Sequence, residues 1–362
     1  MSILRKDICL CFAGMSMLAS AFGQEPSIDR LLNKLPPPEK LVKPRVDRAL
    51  QQQDPALKDP LAQQVYDAVD RKNWSRAIGL SRQLTQKNPR SPFAHFLHGT
   101  VAMDMQQLPE AAGAFRNSIA AQPGFAIVHL ALGVVEILQD HYAAALGPLK
   151  QTEKLEPTWA AGWVLASDCA ARLGRWRESL DFAKRGTAAE PSWIFTWIQL
   201  ARAEKNSGNP QGTLNAVVHA AELAPDSSDM QAVVGFSYIN LNRVPEAIRP
   251  LERAARITPQ DYLIQAQLGF CLMTVGQLDS SITHLRKAAS LKSDYGPVWE
   301  HLGLAYQKQG RHADAISAFE KATKMVPNSF LPWQHLAQEY RAVGRSADAQ
   351  RASARARQLG GR

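Results

Sequence analysis

Cysteine is nearly absent. Four occur in 362 residues, and two of them, Cys9 and Cys11, lie close to the N-terminus. Cys169 and Cys271 are too few to staple a small disulfide scaffold. Catalytic and cofactor signatures are missing as well. There is no G-x-S-x-G, no phosphate loop, no dinucleotide glycine fingerprint and no H-E-x-x-H. His95 and His98 stand at i, i+3, but neither an acid nor a cysteine joins them in a metal motif. The expectation is therefore no metal, no cofactor and no enzyme. Long hydrophobic runs are lacking too. Ile8 to Phe22 is a largely apolar run, and it is short for a membrane span.

Positive charge is unevenly spread. The net charge is +9, and from Arg341 onward there are six arginines against one acid, Asp348. Basicity thus belongs mainly to the C-terminal end, which argues against a nucleic-acid tract along the chain. Arg351 and Arg355 share one face of the last helical segment. Their expected place is a solvated capping helix, the alternative being contact with a membrane surface or an acidic partner.

Arg5 and Lys6, the apolar run and the triplets Ala19-Ser20-Ala21 and Ala21-Phe22-Gly23 have the order of a secretory signal peptide over residues 1–23. The expected location is exported, periplasmic or secreted, with a mature chain starting at Phe22 or Gln24. Cys9 and Cys11 come too early for a lipidated bacterial cysteine. Residues 24–57 hold Pro26, Pro36 to Pro38, Pro44 and Pro55 with mixed charges, and are expected to form an extended or disordered tail.

What is abundant is repetition. Pro89, Pro123, Pro157, Pro191, Pro225, Pro259 and Pro327 are evenly spaced, and only Ser293 breaks the series. Proline cannot continue a helix and biases its predecessor away from helix, so each marks a helix end. Gly99, Gly133, Gly235, Gly269 and Gly303 keep the same step, as do Ala77, Ala111, Ala145, Ala247, Ala315 and Ala349. Such small residues let two helices approach closely. Between Gly296 and Ser329, Trp299, Leu302, Gly303 and Tyr306 fall on one face of a first helix. Ala315, Phe319 and Ala322 fall on one face of a second, across a turn at Gln309-Gly310-Arg311.

That pattern resembles the tetratricopeptide repeat, a helix-turn-helix unit of about 34 residues. The resemblance implies an all-α fold, a right-handed superhelical solenoid of about nine repeats over residues 58–362. The expected repeats are 58–91, 92–125, 126–159, 160–193, 194–227, 228–261, 262–295, 296–329 and 330–362. It implies that Trp163, Trp197, Trp299 and Trp333 fill the family's core tryptophan position, and that Trp74 and Trp176 fill its second-helix aromatic position. Trp159 and Trp193 each precede a core tryptophan by four and mark where an aromatic binding surface could begin. Cys169 and Cys271 share a repeat position three repeats apart, roughly 30 Å at helix spacing, and are expected to be buried and unbridged. His301 and His335 repeat at one position and read as helix-face histidines. Asp168 is expected to pair with Arg202 and Lys205 across repeats.

The resemblance also implies a role: a non-enzymatic scaffold that binds a protein or peptide segment in a concave groove lined by the first helices. An envelope assembly or secretion accessory factor is the alternative. At 100° per residue the groove stripe separates from the tryptophan face. It comprises Phe93, Phe96, Thr100 and Met103; Ile127, Leu130, Val134 and Ile137; Ala161, Val164, Asp168 and Ala171; Phe195, Ile198, Arg202 and Lys205; Asp229, Ala232, Phe236 and Ile239; and Leu263, Ala266, Phe270 and Met273. Glu300, Gln307, Gln334 and Arg341 turn it polar. The lysines and asparagines of the family's carboxylate clamp are missing from the early repeats, so capture of an acidic chain terminus is not expected. The stripe is either an exposed apolar patch that binds a partner's segment, or the chain's own tail at 24–57, or a packed surface.

Overall fold

The computed structural model describes residues 54–360. The leader and the tail before Asp54 lie outside the described residues. A 3-10 turn at Pro55–Lys58 opens the described chain, and eighteen α-helices follow it in nine antiparallel pairs. The first pair is α1 (Pro60–Asp70) with α2 (Trp74–Lys87). Next come α3 (Pro92–Asp104) with α4 (Leu108–Ala121), α5 (Ala126–Leu138) with α6 (Tyr142–Leu155), and α7 (Ala160–Arg172) with α8 (Trp176–Ala189). Then follow α9 (Ile194–Asn206) with α10 (Pro210–Leu223), and α11 (Ser228–Asn240) with α12 (Val244–Ile257). The series ends with α13 (Tyr262–Thr274) and α14 (Leu278–Leu291), α15 (Gly296–Lys308) and α16 (His312–Met325), and α17 (Phe330–Ala342) and α18 (Ser346–Gln358). The pairs group into two compact units, one closing at Leu223 and the other opening at Ala224. Within each unit consecutive helices pack on one another.

Every pair turns in the same way. The residue after the first helix's C-cap has positive φ in all nine: Lys72, Gln106, Asp140, Gly174, Gly208, Asn242, Gly276, Gly310 and Gly344. A side chain is strained in that region, so glycine is favoured there and the four other residues carry a cost.

The small position of each first helix is set by its partner helix. A Cβ at Gly99 would lie 2.6 Å from the Phe115 ring, and one at Gly303 would lie 2.5 Å from that of Phe319. Gly133, Gly235 and Gly269 face Leu149, Leu251 and Leu285 in the same way. Where the glycine is replaced, by Val65, Ser167, Ala201 or Ala337, the residue sixteen further on is smaller than leucine or phenylalanine: Ser81, Ala183, Val217 or Ser353. Interior volume is conserved from pair to pair, as close packing requires.

A second recurring contact joins successive pairs. Proline ends the second helix, which leaves its carbonyl oxygen without an intrahelical donor. A side-chain N–H six residues on reaches back to it. Trp163 Nε1 donates to Pro157 O at 3.1 Å, Trp197 to Pro191 at 2.8 Å and Trp299 to Ser293 at 2.8 Å. Gln231 and Gln265 do the same with Pro225 and Pro259 at 3.2 and 3.1 Å. His95 Nε2 and His129 Nε2 lie 2.9 Å from the Pro89 and Pro123 oxygens, and because a carbonyl only accepts, each Nε2 carries the proton. An N–H donor thus serves at seven junctions, while Trp333 Nε1, six residues after Pro327, makes no such bond. Trp163 is buried, but Trp197, Trp299 and Trp333 are half-exposed, so they are edge residues rather than interior ones.

Two substitutions test this packing. Phe319, fully buried, should cost about 3 to 5 kcal/mol of unfolding free energy when cut to alanine. Gln106→Gly should instead gain roughly 1 kcal/mol by relieving its left-handed conformation. Denaturant titration measures both, and a loss in the second variant would contradict the turn assignment.

Candidate functional site

The first helices of the N-terminal unit present the expected stripe, but not as an open groove. Phe93, Phe96 and Met103 on α3, Ile127, Leu130, Val134 and Ile137 on α5, Val164 on α7, and Phe195 and Ile198 on α9 are all buried. The reason is visible on α5, where every residue from Ala126 to Ile137 is buried, so that the helix is covered around its whole circumference. An angular argument separates two faces of a helix; it does not say whether either one is covered. Arg202 is half-buried and Lys205 is exposed.

In the C-terminal unit the same register positions remain accessible. Phe236 and Ile239 on α11, and Leu263 and Phe270 on α13, are half-exposed, whereas Ala232, Ala266 and Met273 are buried. Phe236, Ile239 and Phe270 pack against the edge of the core formed by Leu251, Ile264, Leu268 and Leu272. His301 lies beside Phe270 with ring centroids 5.0 Å apart, and burial lowers its pKa to about 4, so it is a neutral ring at physiological pH. Glu300 and Gln307 are half-buried on α15, and Gln334 and Arg341 are exposed on α17.

Three ionic clusters, two of them centred on a buried acid, hold neighbouring pairs of the N-terminal unit together. Asp168, 2 % exposed, accepts from Arg172 Nε at 2.8 Å and from Arg202 of the next pair. Lys205 takes no part in it among the described ion pairs. Arg172, one turn away on the same helix, is the partner that the sequence reading left out. Its Nη1 continues to the Tyr142 hydroxyl at 3.2 Å. Glu136, 4 % exposed, is held by Arg116 at 2.5 Å and by His141 at 3.1 Å.

The third cluster has the order of a hydrolase relay. Ser81 Oγ lies 2.9 Å from His98 Nδ1, and His98 Nε2 lies 3.2 Å from Glu110 Oε1. Arg82 grips Glu110 through two bonds of 2.8 Å. The hydroxyl is 0 % exposed and also lies 2.9 Å from the Ile78 carbonyl, so no substrate carbonyl can approach it. Burial holds the His98 pKa below its ordinary value. A neutral ring that donates from Nε2 to Glu110 leaves Nδ1 to accept from Ser81, whose single proton is shared with the Ile78 carbonyl. The cluster ties α2, α3 and α4 together. His95 is engaged by Pro89, and no group of three or more histidine, cysteine or acidic side chains with metal-binding geometry occurs among the described residues.

The remaining candidates are packing residues. Trp159 and Trp193 are the N-cap residues of α7 and α9, both buried, so they begin no aromatic surface. Trp74 is half-exposed and Trp176 is 44 % exposed. Cys169 and Cys271 are buried free thiols, and burial pushes both up to about 12. His335 stacks on Phe319 with centroids 5.3 Å apart. On α18, Asp348 accepts from Arg351 and Arg345, whose hydrogen bonds hold its pKa below the ordinary value, while Arg355 reaches Gln358 at 2.8 Å. Arg345 and Arg351 are exposed and Arg355 is half-exposed, as in a solvated capping helix.

Sequence reasoning missed Glu153. It is 6 % exposed on α6, beside a depression of about 360 Å³ lined by Lys150, Lys154, Trp163, Phe182 and Arg185. Its Oε1 has no hydrogen-bond partner, and burial raises its pKa to about 8 against the pull of Arg185 and Lys150. The folded state therefore holds this proton more tightly than the unfolded chain does. Stability is complete below about pH 4.5 and is lost as pH rises toward 8. Glu153→Gln should match the parent at pH 4.5 and exceed it by about 1 to 3 kcal/mol at pH 8.5 in urea titrations. An equal difference at both pH values would contradict the assignment.

Tetratricopeptide-repeat family models match residues 296–329 and 96–155. No curated protein matches the sequence. Among solved structures the fold is similar to that of MamA, at 20 % identity over 44 % of this chain and 94 % of that one, with a TM-score of 0.43. Residues 41 to the end of MamA from Desulfovibrio magneticus RS-1 align at 17 % identity over 46 % of this chain and 94 % of that one, TM-score 0.44. YrrB, titled as a TPR protein with an unusual peptide-binding site, aligns at 15 % identity over 51 % of this chain and 95 % of that one, TM-score 0.47. Residues 96–155 and 296–329 are thus tetratricopeptide repeats, and they lie in an all-α array of nine helix pairs with no strand among the described residues.

Proposed function

We propose that the protein is an exported, non-enzymatic scaffold that binds an apolar peptide or protein segment on the first helices of its C-terminal unit. Tetratricopeptide repeats make it a protein-interaction module in broad terms. The observation that carries the finer reading is the accessibility of Phe236, Ile239, Leu263 and Phe270 on two adjacent first helices. Apolar side chains grouped on an accessible face favour a partner that covers them. Glu300 and Gln307 on α15 give that face a polar margin, as interfaces commonly have. The buried hydroxyl of Ser81 and the two inert thiols support the non-catalytic reading. Export rests on the sequence of residues 1–23, and a mature N-terminus at Phe22 or Gln24, read by N-terminal sequencing, is the expected result.

Selection from a displayed peptide library against the full chain tests the face. Enriched peptides should carry spaced apolar residues, and Phe270→Arg should weaken their binding at least about tenfold with the thermal midpoint nearly unchanged. Enriched peptides that bind Phe270→Arg undiminished would refute this site.

A further inference from the structure

We propose that one edge of the C-terminal unit, where its second helices end at Ile257, Leu291 and Met325, rests on an anionic lipid bilayer. This edge is separate from the peptide face, whose residues lie on the first helices.

The first observation is a row of uncovered apolar tips. Ile257, Leu291 and Met325 are the last residues of α12, α14 and α16, one repeat apart, and they are 44 %, 36 % and 41 % exposed. One exposed apolar side chain is ordinary, but three in succession at one register make a patch. In the N-terminal unit the same register runs Lys87, Ala121, Leu155, Ala189 and Leu223, with no two large apolar residues in succession.

The second observation is the charge around the tips. Arg253, Lys287 and Lys321 stand four residues before them, on the same face one turn earlier. The last five residues of each of the four second helices in this unit together hold seven lysines and arginines and no acid. A helix C-terminus attracts cations through its dipole. That pull acts equally on the five second helices of the N-terminal unit, yet their last five residues hold three lysines and arginines and two acids. The basic excess therefore belongs to this edge and not to helix ends in general. In the turns that follow, Asp261 is engaged by the N–H groups of Leu263 and Ile264, and Asp294 is the exposed acid.

The third observation is aromatic. Tyr262, Tyr295 and Trp299 are half-exposed beside these turns. Lys292 lies 4.8 Å from the Tyr262 ring centroid, and Lys321 lies 4.2 Å from that of Trp299. Tyrosine and tryptophan rings and long basic side chains each join an apolar body to a polar tip, which suits the head-group level of a bilayer. The tips stand singly with cations between them, so they form no pocket for the anchor residue of a protein partner. A bilayer needs no pocket: it takes shallow apolar insertions and attracts the cations around them. Among the described residues no helix is long and apolar enough to cross a membrane, so the contact is peripheral.

Leu155 is an internal control. It ends α6 at the register of Met325 and is 39 % exposed, close to the 41 % of Met325. A photo-activatable residue replaces Met325 or Leu155 in the full chain, which is then irradiated with phosphatidylcholine vesicles containing about one third phosphatidylglycerol. Lipid cross-links from position 325 should exceed those from position 155 by about tenfold or more. They should fall by a similar factor with phosphatidylcholine alone, and when Lys287→Glu and Lys324→Glu are added with the thermal midpoint retained. Equal cross-linking at the two positions, none at position 325, or indifference to the charge reversal would overturn the proposal. Cross-linking of position 325 to added polyglutamate but not to lipid would assign the edge to an acidic protein, and would overturn it too.

Discussion

The contact on which the array depends is a side-chain N–H that reaches back across six residues to a carbonyl at the end of the previous helix pair. Proline at that point does two things. It stops the second helix, and it fixes a turn that leaves its own oxygen pointing at the next first helix. Tryptophan, histidine and glutamine share little in volume or hydrophobicity, yet Trp163, His129 and Gln265 serve equally, because each carries an N–H at a reachable distance. The acceptor residues are exposed, so each bond contributes a net of only about 0.5 to 1.5 kcal/mol, but it recurs at seven successive junctions, from His95 to Trp299. Ser293, the one break in the proline series, keeps the contact, since the acceptor is the backbone and not the ring.

Inside each pair the constraint is volume. Glycine on the first helix faces phenylalanine or leucine on the second, and a larger residue has serine, alanine or valine at that place. The pairs can therefore differ in sequence while keeping one interhelical distance. That uniform spacing allows Asp168 to meet Arg202 in the same way that two parallel rungs meet. It also places Gly162 against Glu153: a Cβ there would lie 3.4 Å from the Glu153 Cγ. The carboxylate is thus pressed into a site where it holds its proton.

Most of the fold was legible in the sequence because it is local and repeated. Prolines, glycines and the N–H donors recur on one period, and a period survives any single exception. Asp168 with Arg202 was legible for the same reason, being opposite charges at one position of neighbouring repeats. The binding stripe was legible only as a direction. Val134 and Phe270 occupy the same repeat position on their helices, yet one is buried and the other half-exposed. That difference depends on what lies over the helix, which no helical period encodes. Glu153 and the Ser81–His98–Glu110 chain escaped for a related reason: they assemble from three or more helices, and each residue alone reads as ordinary.

Gln231 offers the most direct test of the N–H contact. It is 4 % exposed, and its Nε2 donates to Pro225 O at 3.2 Å. Glutamate has the same shape but no N–H, whereas histidine carries one, as at His95 and His129. Chemical denaturation at pH 7 should find Gln231→Glu less stable than the parent by roughly 1 to 3 kcal/mol, and Gln231→His within about 1 kcal/mol of it. Equal losses in the two variants, or a smaller loss for glutamate, would show that the position is held by packing and not by its hydrogen bond.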